Sequence, residues 1–244
     1  DQPRSRGLGD VYKRQRCDSF ALIHMKKAYK SGLWCLPLLV ITIFFVSANQ
    51  RQRAVVLPFA DGFDMPVGPP NADGYYISRG LRLRPPVHYG EDWNGVGGGD
   101  TDLGDPIYAV ATGIVLFSHD VQVGWGNVVL IRHAYREPTT GKVRFCDSFY
   151  AHLQQRLVQV GSYVKRGQKI GTMGSNRGMY PAHLHFEMRH DLTIGLGRDS
   201  VPRTMEHWID PRSFIQSHRQ LRVEPRPQMT PIGTFPDYRG GKGL

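Results

Sequence analysis

In the run PAHLHFEMRH, residues 181–190, two imidazoles, His183 and His185, stand one position apart. In an extended strand residues i and i+2 share a face, so both rings project together while Leu184 and Phe186 face the other way. Two histidines on one face imply a shared partner: a metal, a substrate or a proton. A second constellation, VHYGEDWNG at 87–95, holds His88 and Asp92 in a turn bounded by glycines. Alone, that pair fits a solvated turn with a local hydrogen bond. Beside the first, it completes a ligand set. Catalytic zinc takes three protein ligands from His nitrogens and carboxylate oxygens and keeps a fourth position for water. His88, Asp92 and one member of the 183/185 pair supply them. Two histidines and a carboxylate also suit iron.

A metal hydrolase needs, besides the ion, a group that takes the proton of the attacking water and a donor for the developing oxyanion. His152, in SFYAHLQ at the end of a strand-like run, is of the right type, because imidazole titrates near neutrality and its two nitrogens act separately. The remaining histidines have blander readings. His133 ends a strand and reads as structural; His119, His190, His207 and His218 lack motif context and read as surface residues. Glu187 shares the face of His185, either as its hydrogen-bond partner or as a solvated carboxylate. Tyr89 and Trp93 line a peptide groove or pack in the core. Asp100 and Asp102, in GVGGGDTDLG (95–104), fall short of a calcium loop in spacing and number.

The elements that must position these residues are β-strands. IYAVATGIVLF (107–117), NVVLIRH (127–133), VRFCDSFYAHL (143–153), QKIGTMG (168–174) and AHLHFEMRH (182–190) are short β-branched or aromatic runs, separated by GWG, PTTG, KRG and SNRG. That spacing predicts an antiparallel sandwich or open barrel rather than alternating βα units. REPTTGKV reads as a hairpin tip, and 204–219 holds room for one short helix. Residues 49–86 are a lead-in rich in turn signals, and the tail from 220 is expected to be poorly ordered at its end.

The chain has 244 residues, 40% of them hydrophobic, with 28 Gly and a formal net charge of +10. The charge excess is concentrated early. DVYKRQ within residues 1–24 back-translates to the end of a transposon library adapter, so this stretch is expected to be a non-native leader. From Met25, Lys26, Lys27 and Lys30 precede an apolar run from Leu33 to Val46 and small residues ending at Ala48, the layout of a secretory signal peptide over 25–48. The run is shorter than the roughly 20 residues a spanning helix needs, so no stable membrane span is expected after cleavage. The remainder carries a modest +5 and no basic stripe with interleaved aromatics, so nucleic acid is not the expected partner. Of three cysteines, Cys17 and Cys35 lie before residue 49, and Cys146 alone makes no internal disulfide. It reads as a buried thiol. Export to the periplasm or the extracellular envelope is the expected location.

The order HYGEDW, GDPIYAVATGIV, GWGNVVLIRH, YAHL, VGSYVKRGQKIGTMGSNRG, AHLHFE resembles the LytM/lysostaphin-type zinc metallopeptidases, peptidase family M23, over roughly residues 85–215. The resemblance implies an all-β-dominated fold, an antiparallel sandwich or open barrel of the LytM type with short helices and long loops. It implies Zn2+ held by His88, Asp92 and His185, with His152 and His183 as the catalytic histidines acting on the water and the transition state. It also implies an endopeptidase that cuts peptide bonds in peptidoglycan stems or cross-links. The domain plan is then a leader (1–24), a signal peptide (25–48), an N-terminal extension (49–84), the metallopeptidase domain (85–218) and a tail (219–244). Two rivals remain. Degenerate LytM-like domains bind and activate a separate amidase, but those have lost ligands and all five positions stand here. VGSYVKRGQKIGTMG also resembles part of a biotinyl/lipoyl carrier, which needs a modified Lys flanked by Met that is absent.

Overall fold

The computed structural model describes residues 54–122, 124–197, 201–223 and 225–236. The expected leader and signal peptide lie outside them. Among the described residues thirteen strands and one helix follow in order: β1 (Ala54–Leu57), β2 (Tyr75–Arg79), β3 (Glu91–Gly95), β4 (Pro106–Tyr108), β5 (Gly113–Asp120), β6 (Asn127–Arg136), β7 (Val143–Leu153), β8 (Gln155–Arg156), β9 (Tyr163–Val164), β10 (Lys169–Thr172), β11 (Leu184–Arg189), β12 (Trp208–Ile209), α1 (Pro211–Ser217) and β13 (Gln228–Pro231). The main sheet runs β2-β3-β11-β7-β6-β5-β9, with β12 paired to β11; β4-β10-β8 form a second sheet and β1-β13 a third. Every pairing is antiparallel. The all-β-dominated expectation holds, as open sheets without a closed barrel.

The strand expected over 107–117 is two strands in different sheets. Between β4 and β5 the chain leaves the ladder at Ala109, whose N–H donates to Gln168 O and whose carbonyl accepts from Gly167 N. A continuous apolar run cannot reveal such a switch, because both sheets want the same residue types. The short helix forms as expected within 204–219. Asp210 caps it, accepting from Ser213 N at 2.9 Å, and Pro211 opens it, where a missing N–H costs nothing.

The central strands are buried on both faces. Along β11, Leu184, Phe186 and Met188 enter a core with Trp93, Ile131, Tyr150, Ile107 and Ile170. Residues 57–67 contribute too: Phe63 and Val67 are fully buried there, and so part of the expected N-terminal extension is core. On the other face Val128, Leu130, Phe149 and Ala151 meet Leu57, Ile232 and Phe235, so β1 and the chain around β13 cover it. Arg132 crosses this face. It holds Asp147 through two 2.7 Å bonds and donates to Pro231 O, Thr234 Oγ1 and Leu192 O, which ties the tail segment to the sheet. Cys146 is buried and free, as expected, and burial pushes its thiol pKa up.

His133 is structural, as expected: it is fully buried, with Nδ1 at 3.0 Å from Thr112 O and Nε2 at 2.7 Å from Ser148 Oγ. His218 is the correction. Expected at the surface, it is buried at the end of α1, stacked on Phe214 at 3.9 Å with Nδ1 against Phe214 O. A capping histidine buries its ring because the helix itself packs on the core, which local sequence does not show.

Burial lowers the pKa of His133 to about 4, so the fold holds the ring neutral. The unfolded chain, titrating near 6.5, binds the proton first as pH falls. Stability from this group is therefore complete above pH 6.5 and is lost on descent toward pH 4. In urea unfolding, wild type should lose about 2–3 kcal/mol more than His133→Gln between pH 7 and 4.5. Parallel pH profiles would refute this.

Candidate metal centre

Three neighbouring strands build the site. Asp92 of β3, His185 of β11 and Ala151 of β7 stand in one cross-strand row. His88 arrives from the turn before β3. Gly90 makes that approach possible: a Cβ there would lie 2.3 Å from Phe186 O and 2.7 Å from Glu187 Cγ. The spacing of His88 and Asp92 thus depends on a glycine that lets the turn lie against β11.

His88 Nε2, Asp92 Oδ1 and His185 Nδ1 converge, at 3.0, 3.1 and 2.8 Å from one another. The outer nitrogens are committed. His88 Nδ1 donates to Gly80 O at 3.0 Å and His185 Nε2 to Glu187 Oε1 at 2.7 Å. In neutral rings the inner nitrogens are therefore lone pairs, and with a carboxylate oxygen they make three acceptors facing one point. Such a cluster suits a cation. A tetrahedral zinc site with bonds of about 2.0–2.1 Å sets its ligand atoms about 3.3 Å apart, within about half an ångström of these separations. The His, Asp, His group is the cluster of this kind found among the described residues.

Where no cation sits there, a proton on the inner nitrogens takes its place: burial works to raise the Asp92 pKa, but hydrogen bonds from His185 and His88 outweigh it and hold the carboxyl well below its usual range. Burial works to lower the His185 pKa, yet the bonds to Asp92 and Glu187 raise it. Glu187 is completely buried, and its other oxygen accepts from Arg189 Nε at 2.9 Å and lies 2.8 Å from Nη2 in an ion pair. Of the two sequence readings of Glu187, the solvated carboxylate is therefore set aside.

His183 lies just outside β11, bridged to Gly174. Its Nδ1 donates to Pro181 O at 2.8 Å, and its Nε2 faces Asp92 Oδ1 at 3.8 Å. His152 follows Ala151. The pleat alone would turn residue 152 to the opposite face from Ala151 and His185. Instead its φ is +62°, in the left-handed region, and its ring sits 4.8 Å from that of His183 and 5.8 Å from that of His185. Gly174 gives the room, since a Cβ there would lie 2.4 Å from His152 O. Burial, then the His185 and His183 neighbours, lower the His152 pKa to about 3. Its Nδ1 is buried with no hydrogen-bond partner among the described residues.

All five residues expected at the site thus surround one point. Sequence reasoning missed Trp125, stacked on the His152 ring at 5.9 Å and 5.3 Å from that of His185, and Tyr180, 4.9 Å from His152. An aromatic in GWG and one in a Pro-flanked loop carry no local signal of a site. Trp93 is core, at 1% exposure, and Tyr89 stacks on Trp208. Asp100 and Asp102 are loop fasteners, accepting from Ala182 N and Gly95 N.

Residues 87–197 match peptidase family M23. The chain is 39% identical over 104 residues to the peptidoglycan DD-endopeptidase ShyC of Vibrio cholerae, a match covering 43% of this chain and 21% of that protein. It is 37% identical over 90 residues to the lipoprotein NlpD of Yersinia enterocolitica, covering 36% of this chain and 79% of that one. At the same identity and length it matches the murein hydrolase activator NlpD of Escherichia coli, covering 36% of this chain and 20% of that protein. The match therefore spans about a fifth of the length of the Vibrio and Escherichia relatives.

Removing the Glu187 carboxylate would leave the buried Arg189 guanidinium without its ion pair. In chelator-treated protein, Glu187→Ala should lower the unfolding free energy by about 3–5 kcal/mol. A loss below about 1 kcal/mol in urea titration would show that the pair contributes little.

Proposed function

The chain belongs to peptidase family M23, and on that premise we propose that residues 85–218 form a zinc-dependent endopeptidase domain acting on peptide bonds of peptidoglycan stems or cross-links. The observation that carries this reading is the convergence of His88, Asp92 and His185 beside the paired rings of His152 and His183. Zinc fits the donor set, and when bound between these three side chains it would supply Lewis-acid activation of water and of the scissile carbonyl.

The protein's own residues do the rest. Glu187 and Gly80 O fix which nitrogen each ligand histidine presents. His183, its Nδ1 proton committed to Pro181 O, offers Nε2 as the proton acceptor or donor toward the cleft. His152 is held neutral by burial, with its ring between those of Trp125 and His183. Together the two histidines move the proton and stabilise the charge that develops on the carbonyl oxygen. Trp125 and Tyr180 wall the rings in and limit water. The segment 25–48 would direct export, and no helix among the described residues is long and apolar enough to cross a membrane.

The test is digestion of purified sacculi, with released muropeptides identified by mass spectrometry, alongside metal analysis of the purified protein. One zinc per chain and chelator-sensitive peptide-bond cleavage are expected. His185→Ala should lose both zinc and cleavage; His183→Ala should keep zinc and lose turnover by about 100-fold or more. A protein without zinc that releases nothing, yet stimulates an added amidase, would replace this reading with the activator one.

A further inference from the structure

The flank of the cleft beside His88 carries charge that the metal centre does not use. Before His88 the chain reads SRGLRLRPPV, with Arg79, Arg82 and Arg84 within six positions. Leu81 and Leu83 are half-buried while the arginines are exposed, so the segment alternates and turns its cations outward. It is also fastened to the site. Arg79 stands opposite Asp92 in the β2–β3 register, the Gly80 carbonyl accepts from His88 Nδ1, and Arg82 and His88 exchange backbone bonds of 2.7 and 2.8 Å. A fourth exposed guanidinium, Arg203, comes from the chain beyond β11 and donates to the hydroxyl of Tyr89, next to His88, at 3.3 Å.

Arg132, Arg166, Arg177, Arg189 and Arg219 each pair with a carboxylate, whereas Arg156 holds Asn127 and Ser118 and Arg212 lies over the Trp93 ring. Arg79 and Arg82 reach only the carbonyls of Val87 and Pro85, and none of the four forms an ion pair among the described residues. Scattered surface arginines need no explanation. Three precede His88 within nine positions, Arg82 bonds it through the backbone, and Arg203 reaches its neighbour Tyr89, so unpaired positive charge gathers beside the metal centre. The guanidinium fork matches a carboxylate in two parallel bonds.

Resting on the proposed peptidase reading, we propose that Arg79, Arg82, Arg84 and Arg203 form a carboxylate-binding subsite that grips the free carboxylates of an anionic peptide on the His88 side of the cleft. The domain therefore selects stems by negative charge as well as by backbone. The arginines contribute binding, so they act on KM and on the approach rate more than on the chemical step.

The test uses the zinc-loaded full chain and two synthetic cross-linked stem peptides, one with free carboxylates and one with those groups amidated. Binding by calorimetry and kcat/KM are both measured. Wild type should favour the free-carboxylate peptide by about 10- to 100-fold, mostly in Kd and KM. The preference should shrink in 0.5 M salt, where the Debye length is about 4 Å against about 8 Å at physiological ionic strength. The triple variant Arg79→Gln/Arg82→Gln/Arg84→Gln should lose it while keeping its zinc. If the triple variant misfolds, Arg84→Gln and Arg203→Gln singly should each weaken it several-fold. Equal binding of the two peptides by wild type, or a preference that survives neutralisation, overturns the subsite. So does a triple variant that loses only its adhesion to anionic phospholipid vesicles, which would assign the flank to a lipid surface. Preferential binding without cleavage of either peptide would support the subsite and refute the peptidase reading.

Discussion

β11 has no solvent-facing side, and the site follows from that. Its apolar positions Leu184, Phe186 and Met188 fill one core, so the alternate positions His185, Glu187 and Arg189 are also buried and must satisfy one another. They do so in a chain. Arg189 holds Glu187, Glu187 takes the Nε2 proton of His185, and His185 is left with its Nδ1 toward Asp92 and His88. The next row continues the pattern, with Arg189 opposite Asp147 and Asp147 held by Arg132. A buried polar face of this kind is costly unless complete. The chain of partners ends where the inner atoms of three ligands meet, and that is where a cation fits.

The sequence made this partly legible. The two-residue period of β11 placed His183 and His185 together, and the His88, Gly90, Asp92 spacing marked the turn that meets them. The limits are physical. Glu187 looks the same in sequence whether solvated or buried, because its burial depends on distant chain, such as the turn at Gly90, lying against it. His218 was misread for the same reason, its burial being a property of where α1 packs. The break between β4 and β5 was hidden because apolar runs do not record which sheet they join. The left-handed φ of His152 had no signature at all, since a histidine there is uncommon.

That conformation bears on the division between cutting and merely binding. A non-glycine residue held in the left-handed region costs of order 1–3 kcal/mol, which the surrounding structure must offset. Here the strain swings His152 back to the face of His185, against Trp125 and beside His183. On the proposed peptidase reading, that placement brings the ring to the reacting groups. Family membership fixes the framework; the orientation of this one ring is what supports a catalytic reading of it.

The pairing of β1 with β13 has a mechanical consequence. Ala54 lies opposite Pro231 and Leu57 opposite Gln228, so the chain enters and leaves this small sheet at one end. A load pulling those two ends apart would open the ribbon as a zipper, one hydrogen bond at a time, rather than shear all of them together. The first bonds to open lie beside Pro231, whose carbonyl Arg132 grips from inside the main sheet. That guanidinium therefore works as a latch. In a domain tethered at both ends, tension would spend itself on the latch and ribbon before it reached β3, β11 and β7.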